Sequence, residues 1–156
     1  MGSSKIGLAL AAVLLLSAAL LAQTLDVATI TVPASLHASA HSTAVAYFKI
    51  AVQPGFHIQS NHPKQEFLIP SRLSLAPADG VTVTKVAWPR AQEHTFSFSP
   101  KQPLAVFEGS FQIPVTLMTG APGTAILHGR FRYQACNDEL CRPPVTVPFS
   151  LIVHVH

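Results

Sequence analysis

Downstream of an apolar leader, apolar and polar residues alternate with a period of two, the mark of strands buried on one face. Ala44 to Val52 sets Phe48, Ile50 and Val52 on one side and Tyr47 and Lys49 on the other, and Gln53-Pro-Gly55 then turns the chain. Phe67–Leu75 and Val81–Ala87 read as two further strands joined through a Pro77-Ala-Asp-Gly80 turn, a composition that presets turn dihedrals. Leu104–Thr119 reads as one long strand whose end alternates best, with Phe111, Ile113, Val115 and Leu117 on a shared face. Pro114 lacks the N–H that a ladder needs, which predicts an edge position or a bulge there. After Ala121-Pro-Gly123, Thr124–Ala135 points Ala125, Leu127, Phe131 and Tyr133 inward and His128, Arg130 and Arg132 outward. Val145–His156 forms the last strand. Helical periodicity is almost absent after the leader.

Seven or eight short strands separated by Pro and Gly predict an all-β fold, an immunoglobulin-like β-sandwich in architecture. The cystine spacing of antibody domains is missing, so the expectation concerns architecture alone. Pro89–Pro103 breaks the alternation with fifteen residues, three of them proline and two, Phe96 and Phe98, phenylalanine. It is expected to be an irregular loop of the kind that serves as a lid.

The leader carries one cation, Lys5, then runs apolar from Ile6 to Ala22 before Gln23 and Thr24 restore polarity. That order predicts a signal peptide over residues 1–22, removed after Ala22, and a mature domain over 23–156 in an extracytoplasmic compartment. The alternative is an amino-terminal membrane anchor, because the run sits at the short end of bilayer-spanning length. Composition narrows the function classes. Hydrophobic residues make up 49% of the chain and charged ones 11%, which supports a packed core rather than disorder. Ten Lys and Arg against seven Asp and Glu give a net charge of +3 with no basic cluster, and no nucleic-acid partner is expected.

Cys136 and Cys141 are the only cysteines, and Asn-Asp-Glu-Leu separates them at the mouth of a turn. Outside the cytoplasm such a pair is expected to bond. As a structural staple the bridge is weak: closing so short a loop contributes about 2 kcal/mol on the chain-entropy account. A short bridge at a chain reversal is also prone to strain, and strained or exposed disulfides are the reducible ones. Spacing alone leaves redox exchange and the staple both open. A copper or zinc site is a third reading, since two thiols and eight histidines are available and His154 and His156 share a strand face. The compact Cys/His spacing of a structural zinc site is missing, and no metal is expected.

The run Tyr133-Gln-Ala-Cys-Asn-Asp-Glu-Leu-Cys-Arg-Pro-Pro-Val-Thr-Val-Pro148 resembles the active-site signature of the amino-terminal periplasmic domain of the thiol–disulfide interchange protein DsbD. That family shows Tyr-Gln-x-Cys, a short acidic-containing turn, then Cys-x-Pro-Pro before the last strand. Gly55-Phe-His-Ile-Gln-Ser-Asn61 and Phe107-Glu-Gly-Ser-Phe-Gln-Ile-Pro-Val115 match it in placement and character, so the resemblance covers essentially the whole mature chain.

The resemblance implies an immunoglobulin-like domain, without a cofactor, that relays electrons from a membrane-embedded thiol reductase to periplasmic thioredoxin-like or disulfide-bearing proteins. Cys141 would form the mixed disulfide with partners and Cys136 would resolve it. A phenylalanine-bearing loop caps the pair in the family. Its Asp-Glu-Phe triplet is absent here, leaving Glu93, Phe96 and Phe98 as cap candidates. Tyr133, Asp138 and Pro143 are the expected supports of the turn. Arg142 would favour a Cys141 thiolate, whereas Asp138 and Glu139 would oppose it. The sequence ends at His156 without a following membrane or thioredoxin-like domain, so the donor is expected to be a separate protein. The rival is a non-enzymatic binding module whose disulfide only ties a hairpin.

Overall fold

The computed structural model describes residues 26–156, and the leader expected at 1–22 lies outside them. The described chain forms strands β1 (Ala28–Thr31), β2 (Leu36–Ala38), β3 (Thr43–Val52), β4 (His57–Gln59), β5 (Arg72–Leu75) and β6 (Val81–Val86). It continues through β7 (Gln92–Phe96), β8 (Ser99–Phe107), β9 (Ser110–Thr119), β10 (Gly123–Tyr133), β11 (Ala135–Cys136) and β12 (Val145–Val155). The fold is all-β, with no helix among the described residues. Three sheets run in the orders β1-β3-β9-β6, β2-β12-β10-β5 and β11-β4-β8-β7.

The first two sheets face each other as the immunoglobulin-like sandwich. Period-two alternation sends Phe48 and Ile50 from β3, Ile113, Val115 and Leu117 from β9, Leu127, Phe131 and Tyr133 from β10, and Leu151 and Val153 from β12 into one core. Each of these side chains is 0% exposed, and burying residues of this kind contributes roughly 1.5–3 kcal/mol apiece. Gly129 interrupts the inward row of β10 because Phe149 packs over it. A Cβ there would lie 2.3 Å from the Phe149 ring. The third sheet grows from one end of the sandwich. β10 passes through Gln134 into β11, which leaves the second sheet and pairs with β4.

Four expectations are corrected here. Of Phe67–Leu75 only Arg72–Leu75 is a strand. Pro70 stops the ladder, the chain turns so that the Leu68 N–H meets the Gln65 carbonyl, and Phe67 stands 77% exposed. Leu104–Thr119 is two strands, because Gly109 at φ 62° reverses the chain between β8 and β9. The two halves then enter different sheets. Pro114 lies on the inner strand β9, not at an edge. Its carbonyl accepts from the Ala87 N–H just past the end of β6, so its missing N–H faces the side where that neighbour runs out. The bulge falls on β6, between Val83 and Lys85.

Pro89–Pro103 is not an irregular loop. It builds the β7–β8 hairpin, where Phe96 pairs with Ser99 across a Ser97-Phe98 tip. Pro100 and Pro103 are accommodated because β4 meets β8 only at Val106 and Phe107, leaving the proline stretch unpaired on that side.

Candidate functional site

Cys136 ends β11 directly opposite His57 of β4. The turn that follows is organised by Asn137, whose side-chain oxygen accepts from the Glu139 N–H at 3.0 Å and the Leu140 N–H at 2.9 Å. This is the local bonding that makes Asn a turn former. The Asn137 N–H closes the loop on the Leu140 carbonyl, and the Arg142 N–H bonds the Ala135 carbonyl at 2.8 Å. Cys141 is thereby returned beside Cys136, and the two are bonded, with Cα atoms 4.0 Å apart. The sulfurs are not equivalent. Cys136 is 0% exposed, whereas Cys141 is half-buried and follows the exposed Leu140.

Strand β4 supplies two polar side chains to the same face, as residues two apart on a strand must. Gln59, fully buried, donates through Nε2 to Cys136 Sγ at 3.1 Å. Its Oε1 has no hydrogen-bond partner, and neither has Nε2 of the buried His57. The His57 ring stacks on Phe96 at 4.0 Å between centroids. Burial lowers the His57 pKa from its ordinary 6.5 to about 4, with the Asp138 carboxylate opposing that shift and His94 adding to it. The imidazole is therefore neutral at pH 7.

A stability signature follows. Below pH 6.5 the unfolded chain protonates this histidine, while the folded chain does so only near pH 4. Protons in that window favour unfolding, so this group makes stability fall as pH drops from about 6.5 to 4. His57→Phe keeps the aromatic stack and should flatten that part of the profile. Denaturant midpoints measured at pH 7 and pH 4.5 would show it; the same loss in both proteins would refute it.

Phe96 is 6% exposed and forms a small cluster with Leu68, Leu104 and Val106, against which Cys141 packs. Phe98 at the hairpin tip is 41% exposed and stacks on Phe96 at 5.5 Å. Ser97 Oγ donates to the Asp138 carbonyl, tying the tip to the cysteine turn. Of the three cap candidates, Phe96 belongs to the cluster against which Cys141 packs, and Phe98 is linked to it only by stacking on Phe96. Glu93 is not placed there by any contact; its carboxylate pairs with Lys64 at 2.6 Å.

Among the expected supports, Tyr133 is a core residue. It is 0% exposed, its hydroxyl accepts from the Ala28 N–H at 3.3 Å, and burial raises its pKa. Asp138 is exposed and acts through its carbonyl on Ser97 and its charge on His57. Pro143 is exposed and lines a cleft of about 250 Å³ with Tyr133, Arg142 and Pro144. The Arg142 guanidinium lies 4.5 Å over the Phe56 ring, which draws it toward that aromatic face. His154 stacks on His37 at 4.9 Å. Among the described residues no group of three or more His, Cys, Asp and Glu is arranged to hold a metal.

His57, Gln59, Ser97 and Leu68 were not singled out from the sequence. The available signal was His57-Ile-Gln59, two polar residues alternating on one face of a short strand.

No curated protein matches the chain. The N-terminal periplasmic domain of ScsB from Proteus mirabilis is similar in fold, with a TM-score of 0.54 and 14% identity over 83% of this chain. The chain spans 47% of that protein's length. The N-terminal domain of DsbD from Neisseria meningitidis, in the reduced form, aligns at 16% identity with a TM-score of 0.46, covering 71% of this chain and 78% of its own. The family described as "Thiol:disulfide interchange protein DsbD, N-terminal" matches residues 23–152. On that match the chain belongs to the family of the N-terminal domain of DsbD.

Proposed function

We propose that the protein is exported, loses residues 1–22, and relays electrons through a reversible Cys136–Cys141 disulfide. Membership in the family and the closely spaced cystine support thiol–disulfide interchange as the general chemistry. The finer reading takes electrons from a separate membrane-embedded thiol reductase and passes them to periplasmic thioredoxin-like or disulfide-bearing proteins. The observation that carries it is the unequal burial of the two cysteines: Cys136 is enclosed and Cys141 is only half-buried.

Exchange proceeds by thiolate attack on one sulfur of a disulfide, so the accessible sulfur is the one a partner meets. Cys141 takes that role, and Cys136 resolves the mixed disulfide. Phe96 and Phe98 shield the pair until a partner displaces the hairpin tip. Asp138 and Pro143 hold the turn from which Cys141 is presented.

The reduction potential separates this function from a binding module with a structural cystine. Equilibration with a thiol redox buffer is expected to give a value within the range of catalytic dithiols, roughly −120 to −270 mV. A value below about −300 mV would identify a structural bridge and overturn the relay.

A further inference from the structure

We propose that Gln59 is a catalytic residue of the exchange, the hydrogen-bond donor that stabilises Cys136 Sγ as a thiolate. The inference rests on the Cys136–Cys141 exchange proposed above and assigns the group that makes the two sulfurs chemically unequal.

Among the described residues, the side-chain hydrogen bond reaching a sulfur comes from Gln59 Nε2, 3.1 Å from Cys136 Sγ. Both residues are 0% exposed. A disulfide sulfur is a poor acceptor, and Gln59 Oε1 has no partner at all. Burying a carboxamide so incompletely satisfied costs free energy that an apolar side chain would not. In the disulfide state the group therefore has little structural reason to be polar. The backbone, by contrast, is firmly held. The Gln59 N–H bonds the Gln134 carbonyl, Ser71 Oγ donates to the Gln59 carbonyl, and the residue pairs with Val106 of β8. A donor fixed in this way before the reaction needs no rearrangement when charge develops at the sulfur.

The step itself is balanced. A partner thiolate attacks Cys141 Sγ and forms the partner–Cys141 bond. The Cys136–Cys141 bond breaks, and its electron pair leaves on Cys136 Sγ as a thiolate that receives the Gln59 N–H. A second thiol of the donor then attacks the donor's own sulfur in the mixed disulfide, which leaves the donor oxidised and releases Cys141 Sγ as a thiolate. Toward an acceptor disulfide Cys141 attacks and the acceptor's other sulfur leaves as a thiolate. The Cys136 thiolate then attacks Cys141 Sγ, re-forms the disulfide and expels the acceptor's remaining sulfur. Two electrons thereby pass from a donor dithiol to an acceptor disulfide. Other groups near Cys136 are less suited. His57, opposite on β4, is neutral with an unpartnered Nε2. Asp138 in the turn opposes a thiolate, and the Arg142 guanidinium lies over Phe56. A buried thiolate with no donor would be strongly disfavoured.

The test uses the full chain with Cys141→Ala, in which Cys136 is the sole thiol, and follows its ionisation by the ¹³Cβ shift. Gln59→Met preserves size and removes the donor; it should raise the Cys136 pKa by about one unit or more, the usual worth of a hydrogen bond to a charged group. An unchanged pKa overturns the assignment. Should Gln59→Met not fold, the carboxamide N–H signals of unsubstituted Gln59 decide. They should move with the Cys136 titration, and signals indifferent to it overturn the proposal. If the disulfide is inert toward partner thiols while Gln59→Met still raises the pKa, the relay falls and the donor assignment stands.

Discussion

Cys136→Ser should turn the protein into a trap, accumulating a mixed disulfide between Cys141 and a partner, while Cys141→Ser should accumulate little. The half-buried Cys141 can be approached, and without Cys136 nothing within the domain can displace the partner from it. In Cys141→Ser the surviving thiol is 0% exposed at the end of β11, paired opposite His57 of β4. Diagonal electrophoresis of extracytoplasmic extracts would show the difference as nearly all-or-none. Both variants should remain folded, since the bridge contributes about 2 kcal/mol against typical stabilities of roughly 5–15 kcal/mol. Equal trapping would mean that the roles are not divided. Outright unfolding of either variant would favour the staple.

Replacing Phe96 and Phe98 together with Ala should accelerate reduction by a small thiol reagent by about tenfold or more, the factor that ~1.4 kcal/mol of lost closure would produce. Most of the effect should come from Phe96→Ala. Phe96 is the buried member, stacked on both the His57 and the Phe98 rings and part of the cluster against which Cys141 packs. Phe98 is partly solvated already, so Phe98→Ala alone should change the rate little. The hairpin is otherwise tied to the turn by Ser97 and Asp138, which limits how far it opens. Stopped-flow reduction with the fold verified by circular dichroism is the measurement. An unchanged rate in the double variant would remove the β7–β8 hairpin from the mechanism.

The all-β class, the sandwich and the identity of the cysteine pair could be read along the chain because each rests on local physics. Period-two alternation identifies a strand from its neighbours two residues away, as in β3, β10 and β12. The short Asn-Asp-Glu-Leu spacing made Cys136 and Cys141 candidates for a bond before any fold was known. What escaped was non-local. Pro89–Pro103 has the composition of a loop, yet β8 finds partners in β4 and β7, and pairing outweighs the local disfavour of Pro100 and Pro103. Pro114 reads as an edge residue, and is tolerated inside a sheet because the adjoining strand β6 has just ended.

The inequality of the two sulfurs belongs to the same class. Cys136 and Cys141 look alike in sequence, five residues apart. The fuller burial of Cys136 depends on β4, which brings His57 and Gln59 from some 80 residues upstream, and on the hairpin that sets Phe96 against His57. Alternation along a strand tells which face is inward, but not which neighbour that face will meet. Only sheet assembly supplies that neighbour, and with it the hydrogen bond that distinguishes Cys136 from Cys141.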